Sequence, residues 1–344
     1  MLLSDFDFTL PERLIATRPA TPRDSARLLV AKPDDLIDKQ VRDLPDLLQP
    51  GDLLVFNDTR VIPARLFGQR GDAKIEVLLH KAVDDHTWEA YARPAKRLKP
   101  GQTITFAAGL QAEMRGRNET DGTVTLRFNL SGADFHDKLA EIGHMPLPPY
   151  IQREDDAEDC DSYQTMFARE AGAVAAPTAS LHYTLDLIAR LKAAGIDHCT
   201  ITLHVGAGTF MPVRVNNIDD HVMHAERYEV TAITADKINQ ARAAGGRIIP
   251  VGTTALRTLE TLADDNGVVQ SGSGETRIFI KPGYRFKAAD LLLTNFHLPK
   301  STLLMLVSAF CGVERTRNIY RHAIGSDYRF YSYGDTSLLY PAKG

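Results

Sequence analysis

The chain has 344 residues, 44% hydrophobic and 24% charged, a balance that buries a sizeable core and excludes a disordered chain. Its formal charge of −4 argues against a protein that coats nucleic acid, and at about 150 residues per domain the length suggests two domains. Cys160, Cys199 and Cys311 lie far apart with no C-x-x-C spacing, so neither a disulfide framework nor a cysteine-rich zinc site is expected, and the cytoplasm is the simplest compartment.

The start, "MLLSDFDFTLPERLI", has acids where a signal peptide needs bases followed by an apolar run. "GDLLVFNDTRV" (51–61) then reads as a short apolar strand running into polar residues. "AKIEVLLH", "HTWEAYAR", "QTITF", "LQAEMRG" and "GTVTLRFN" follow as strands of period two, with Ile75, Val77 and Leu79 alternating in the first and Val124, Leu126 and Phe128 in the last. Turn clusters such as "VDDH", "KPGQ" and "NETDG" separate them and no helical periodicity interrupts, so a small antiparallel barrel or sandwich is expected at 66–145. "REDDAEDCDS" (153–162) is expected to be a mobile, solvated acidic loop.

From 177 onward helices and strands alternate. "TLDLIARLKAAG" is a helix with Thr184 as N-cap and Gly195 past its end, followed by the strand "CTITLHV". The helix "TADKINQARAAGG", the strand "RIIPVG", the helix "TTALRTLETLADD" and the strands "TRIFIKPG" and "DLLLTN" come next. "STLLMLVSAFCGV" (301–313) is too short for a membrane span and reads as a buried helix. Strand, helix, strand in sequence implies parallel pairing with crossovers, so the fold class is α/β, with the N-terminal segment in the same layer and the β-rich region as an insertion.

Charge is uneven: residues 60–130 hold 12 Lys plus Arg against 8 Asp plus Glu, whereas 133–170 hold 3 against 10. That asymmetry permits one basic face to meet a polyanion, although ordinary solvated surface explains it equally well.

Polar clusters sit where strands end, the place where ligands gather in parallel sheets. After the first strand come Asn57, Asp58, Thr59 and Arg60, in which a carboxylate and a guanidinium two residues apart either hold a ligand or brace the turn as an ion pair. "APTASLHYT" (176–184) offers Thr178, Ser180 and His182 before a helix. "HVGAGTFMPVR" (204–214) offers His204, Gly206, Gly208, Thr209 and Phe210. Its G-x-G is half a dinucleotide fingerprint, but position 211 is Met and no phosphate-binding lysine follows, so a phosphate role is poorly supported. In "VGTTALRTLE", Thr253 and Thr254 open a helix whose free N–H groups suit an anion, or simply cap it. In "TNFHLPKSTLLML", Lys300 sits at the wrong end for the helix dipole, which makes sense if an anion lies between them; Asn295 and His297 stand just upstream. Tyr331, Tyr333 and Asp335 lie in an aromatic-rich "YRFYSYGDTSLL", able to stack on a base or to form a strand.

Taken in order, "FNDTRVIPARL", "MPLPPYI", "AVAAPTASLH", "TLHVGAGTF", "VGTTALRTLE", "GYRF" and "TNFHLPKSTLLMLVSAF" resemble the motif series of the S-adenosylmethionine:tRNA ribosyltransferase-isomerases of queuosine biosynthesis, from about residue 1 to 340. The departures are Ser180 where the family usually has Gly, Ala207 where Leu is common and Ala225 where Ser often stands.

The resemblance implies a barrel-like main α/β domain (1–65 and 146–344) with an inserted small antiparallel β-barrel (66–145). It implies that the ribosyl part of S-adenosylmethionine moves to 7-aminomethyl-7-deazaguanine at the tRNA wobble position, giving epoxyqueuosine and releasing adenine and methionine. S-adenosylmethionine is then a co-substrate, with no further cofactor, no metal, no membrane and no obligate protein partner expected. The sulfonium acidifies the 5′ carbon, so a base is required, and histidine suits it: His204, failing that His297 or His182. Asp58 would engage the aminomethyl group and Arg60 a phosphate or the donor carboxylate. Lys300 with Thr253 and Thr254 would hold an anion. Asn57, Thr178, Gly206, Gly208, Thr209, Phe210, Asn295 and Tyr333 complete the expected substrate site. Arg93, Lys96, Arg97 and Lys99 in "ARPAKRLK" would meet the anticodon stem. Two other classes remain open: an S-adenosylmethionine-dependent RNA methyltransferase, whose glycine-rich first turn is not evident, and a non-catalytic tRNA-binding protein.

Overall fold

The computed structural model describes residues 1–119, 121–210 and 213–342, excluding the side chains of Arg97 and Phe210. The fold is mixed α/β, with two open sheets of mixed direction, a small two-stranded sheet and one closed barrel.

The barrel is formed by Arg65–Arg70, Ala73–Ala82, Thr87–Arg93, Thr103–Phe106, Gln111–Arg117 and Val124–Phe128, and every neighbouring pair is antiparallel. The alternating apolar residues turn inward: Ile75, Val77, Leu79, Val124, Leu126 and Phe128 are all buried in one cluster with Trp88 and Ile104. The helix Gly132–Ile142 was not legible in the strand-dominated pattern, because it buries only Phe135 and Leu139. Those two plug the barrel, Phe135 lying 4.7 Å from the Phe128 ring centre.

The larger open sheet runs in the order Ile248–Pro250, Leu53–Asn57, Asp197–His204, Glu226–Val230, Gly272–Thr276. Its first three strands are parallel, as the alternation of helices and strands requires, and the last two join antiparallel. The second sheet, Leu292–Asn295, Thr336–Leu339, Arg27–Lys32, Asp35–Gln40, brings the two ends of the chain together through a parallel pair. A parallel bridge between Val251 and Leu293 links the two sheets at one edge.

Helix punctuation follows the side-chain chemistry. Thr184 Oγ1 accepts from Leu187 N–H at 3.2 Å to cap Leu185–Ala193, and Ser301 Oγ accepts from Leu304 N–H at 3.1 Å to cap Thr302–Cys311. The latter helix buries Leu304, Met305, Leu306, Val307 and Phe310, so it is core. Ala232–Ala243 starts almost a turn before the expected point because Thr231, not Thr234, caps it.

Three expectations are corrected. The strand expected at "TRIFIKPG" ends at Thr276 and begins earlier, in "GSGET", where glycine leaves room for a neighbour: a Cβ on Gly274 would stand 3.0 Å from the Tyr228 hydroxyl. The acidic segment is solvated at Glu154, Asp156, Glu158 and Asp161 as expected, but it is not all loop. It forms the helix Ala157–Ser162, and Asp159 is fully buried, gripped by both Nη atoms of Arg153 at 2.5 and 2.7 Å and by Arg18 at 3.3 Å. In the aromatic-rich segment only Thr336–Leu339 is strand, and Tyr331 precedes it in a loop with φ of 72°.

Candidate active site

A cavity of about 590 Å³ lies beyond the carboxyl ends of Asp197–His204, Ile248–Pro250 and Leu292–Asn295, with His80 of the barrel in its wall. Gly206 and Gly208 follow the first of these strands and line it. Both glycines admit an imidazole. A Cβ on Gly206 would stand 2.6 Å from His80, and a Cβ on Gly208 would stand 2.6 Å from His224. The two rings meet edge to face with centres 5.6 Å apart. The small-residue turn therefore serves close packing against histidines from two parts of the fold, which explains a G-x-G without the rest of a phosphate fingerprint.

Thr253 and Thr254 start the helix Thr253–Leu262, whose N-cap, Gly252, has φ of 97°, a conformation that favours glycine, and no side-chain cap. Thr178, Thr209, Asn295, His297 and Lys300 also line the cavity. Asn295 is buried and well fixed: its Oδ1 accepts from Thr178 Oγ1 at 3.2 Å and its Nδ2 donates to the Tyr331 carbonyl at 3.1 Å. His297 shares a hydrogen bond of 2.8 Å between Nε2 and Thr294 Oγ1, and its N–H donates to the Tyr320 hydroxyl at 2.9 Å. Burial pushes His297 down to about 3, so the ring is neutral. Lys300 has φ of 55° and pairs with Asp7 at 2.8 Å, which accounts for a cation at the start of a helix without any ligand.

Other expected residues lie elsewhere. His204 does not line the cavity; its Nδ1 is 2.9 Å from Thr59 Oγ1, and Gly172 packs against the ring. Burial, with a smaller contribution from Arg227, lowers its pKa. His182 is buried behind Asn295, at 3.5 Å, and is pushed down to about 3 by burial and then by Arg329 and Arg23. Asn57 is committed to the sheet: it accepts from the N–H groups of Thr59 and Leu203 and donates to the Leu203 carbonyl. Asp58 pairs with Arg169 at 2.5 Å, not with Arg60, and accepts from Thr202 at 2.7 Å. Arg60 is exposed. Tyr333 is buried and donates to Asp159 at 3.0 Å, outside the cavity wall. Arg93, Lys96 and Lys99 are exposed on the barrel. The expectations for Arg97 and Phe210 fall on side chains outside the described set.

Sequence reasoning missed His80, His221, His224, Glu226 and Arg257, all in the wall. Arg257 had a usable signal, since it stands three and four residues after the threonines and therefore on their helix face. It forms a buried ion pair with Glu226. His80, which burial and the neighbouring His224 push down to about 4, ended a strand that looked purely structural.

A family model described as "Queuosine biosynthesis protein" matches residues 3–339. The chain belongs to this family. Among queuosine biosynthesis relatives, the S-adenosylmethionine:tRNA ribosyltransferase-isomerase of Rhodospirillum rubrum is 59% identical over 338 residues, covering 98% of each chain. The protein of the same name from Erythrobacter litoralis is 57% identical over 339 residues, covering 98% of this chain and 97% of its own. The crystal structure of the S-adenosylmethionine tRNA ribosyltransferase from Thermotoga maritima matches with a TM-score of 0.56 and 35% identity, covering 97% of this chain and 99% of that one. Against the motif series of the queuosine family, Ser180 is the departure with a visible structural consequence: it is fully buried and its hydroxyl has no partner among the described residues.

Proposed function

We infer that the chain is an S-adenosylmethionine:tRNA ribosyltransferase-isomerase acting in queuosine biosynthesis. The observation that carries this is 59% identity to a protein of that name across 98% of both chains. The ribosyl group of S-adenosylmethionine passes to the aminomethyl group of 7-aminomethyl-7-deazaguanine in tRNA, with isomerisation to the epoxycyclopentanediol of epoxyqueuosine and release of adenine and methionine. The protein works in the cytoplasm; among the described residues no helix is long and apolar enough to cross a membrane.

The reaction site is the cavity under His80. Of the three histidines considered for the base, His297 alone lines it, and its Nδ1 carries no hydrogen bond among the described residues. A neutral imidazole there takes a proton from the 5′ carbon, made acidic by the sulfonium. Burial disfavours the imidazolium, so the proton moves only as the negative charge of the ylide develops beside the ring to stabilise it, and it then passes to the departing adenine. Thr178 and Asn295 fix the floor beside it. Residues 1–65 and 146–344 form the main domain, barrel-like in that the Val251–Leu293 bridge joins its sheets, and 66–145 form the inserted barrel. The basic residues Arg93, Lys96 and Lys99 on that insertion meet the anticodon stem, where phosphate contacts supply most of the affinity. A product assay tests the activity: free adenine and methionine support it, and S-adenosylhomocysteine refutes it in favour of methyl transfer.

A further inference from the structure

The Arg257–Glu226 pair is unusual in what it leaves unsatisfied. Arg257 is 5% exposed and Glu226 6%, yet the guanidinium spends only Nη1, on Glu226 Oε2. Among the described residues, Nε and Nη2 of Arg257 are buried without a partner, and so is Oγ1 of Thr254, one turn earlier on the same helix. A buried guanidinium with unpaired donors is costly and calls for an acceptor. Above these groups the helix presents N–H groups that no side chain caps. Arg257, Glu226, Thr253 and Thr254 all face the same cavity.

We propose that Arg257 and Glu226 together read the zwitterionic amino-acid end of S-adenosylmethionine. The free edge of Arg257 and the Thr254 hydroxyl donate to the α-carboxylate, at the positive end of the helix, and Glu226 accepts from the α-ammonium through Oε1, which carries no hydrogen bond among the described residues. The pair is neutral as a unit, and that selects its ligand. A phosphate would be repelled by the Glu226 carboxylate, whereas a zwitterion finds an opposite charge for each of its own. Lys300 is not needed for this, since Asp7 already neutralises it. The assignment rests on S-adenosylmethionine being the donor and adds which residues distinguish it from a donor of the same nucleoside and sulfonium that lacks the carboxylate.

The test compares binding of S-adenosylmethionine and of its decarboxylated analogue to the full chain by titration calorimetry, for the native protein, Arg257→Met and Arg257→Lys. The native protein is expected to prefer S-adenosylmethionine. Arg257→Met should weaken S-adenosylmethionine on the order of 30-fold, the scale of losing one partner of a buried charge pair, and leave the analogue within about threefold, so that the preference collapses. Arg257→Lys keeps the charge beside Glu226 but not the fork, and should lose most of the preference too; it decides the matter if Arg257→Met does not fold. A preference retained in a folded variant, or an equal loss of both ligands in both variants, overturns the assignment. Native protein that consumes no S-adenosylmethionine in the product assay would instead overturn the activity on which it rests.

Discussion

Gly206→Ala should damage the cavity through His80 alone. Gly206 has an ordinary backbone conformation, so the substitution adds a methyl group without φ strain. That Cβ would stand 2.6 Å from both Nδ1 and Cε1 of His80 and 3.3 Å from its carbonyl oxygen, about 1 Å inside normal contact. His80 is 6% exposed, with Tyr91 and His224 rings on its flanks, so it has little room to retreat. Overpacking of this kind costs about 1–3 kcal/mol. At about 2 cal/mol/K of unfolding entropy per residue, a chain of this length unfolding as one unit loses about 1–4 °C in Tm. Adenine release should fall with it, because His80 forms part of the wall. The decisive assay is a double-mutant cycle by thermal and urea unfolding: with His80→Ala in place, the added methyl group loses both ring contacts and keeps only the carbonyl oxygen at 3.3 Å, so its cost should shrink by at least about 1 kcal/mol. If Gly206→Ala costs the same in both backgrounds, close approach to His80 is not why a glycine stands there.

Burial alone would raise the Asp159 carboxyl, but hydrogen bonds from Arg153, the Asp156 N–H and Tyr333 hold it below its usual 3.8. A depressed folded-state pKa contributes stability that is present above the unfolded value and lost as pH falls through the folded one, so Asp159→Asn should cost about 3 kcal/mol at pH 7 and progressively less below pH 4, read by urea midpoints across pH. Ser180→Ala removes a buried hydroxyl without a partner and should raise stability by about 1 kcal/mol, with adenine release unchanged; a loss in Tm would mean that the hydroxyl is bonded. Changing Arg93 and Lys99 to Glu together should weaken tRNA binding and flatten its dependence on salt, checked by filter binding between 50 and 200 mM salt as rough limits; an unchanged slope would remove the barrel's basic face from the interface.

The barrel was legible because its strands alternate with little interruption, so Ile75, Val77 and Leu79 announce an inward face without knowledge of their partners. The parallel part of the main sheet was legible for a similar local reason, the crossover helix Leu185–Ala193 being announced by its Thr184 cap. What the sequence hid was long-range pairing. Asp159 looked like one more solvated acid, and no local signal showed that Tyr333, 174 positions away, and Arg18, 141 positions away, close around it beside the local Arg153. Asp58 and Arg60 looked like a pair because they are two residues apart, but Asp58 sits between two strands, where the alternation of faces is interrupted, and it turns inward to Arg169 and Thr202 while Arg60 is exposed. At the site, motif reasoning found the loops at the strand ends but not which side chains turn inward. His204 faces Thr59, whereas His80, drawn from the other end of the chain's β-rich region, closes the cavity. The glycines at 206 and 208 were expected at the substrate site, and both line the cavity, but the close approach each allows is to an imidazole.

The central claim is that ribosyl transfer runs in the cavity beneath His80, with His297 and not His204 as its proton acceptor. It is tested by single-turnover adenine release from S-adenosylmethionine in the presence of modified tRNA, with His297→Gln and His204→Gln measured side by side on folded protein. Removing a general base typically costs 10²- to 10⁴-fold, so His297→Gln should fall by about 100-fold or more while His204→Gln stays within about threefold of the native rate. A collapse in His204→Gln with His297→Gln left near the native rate would contradict the account.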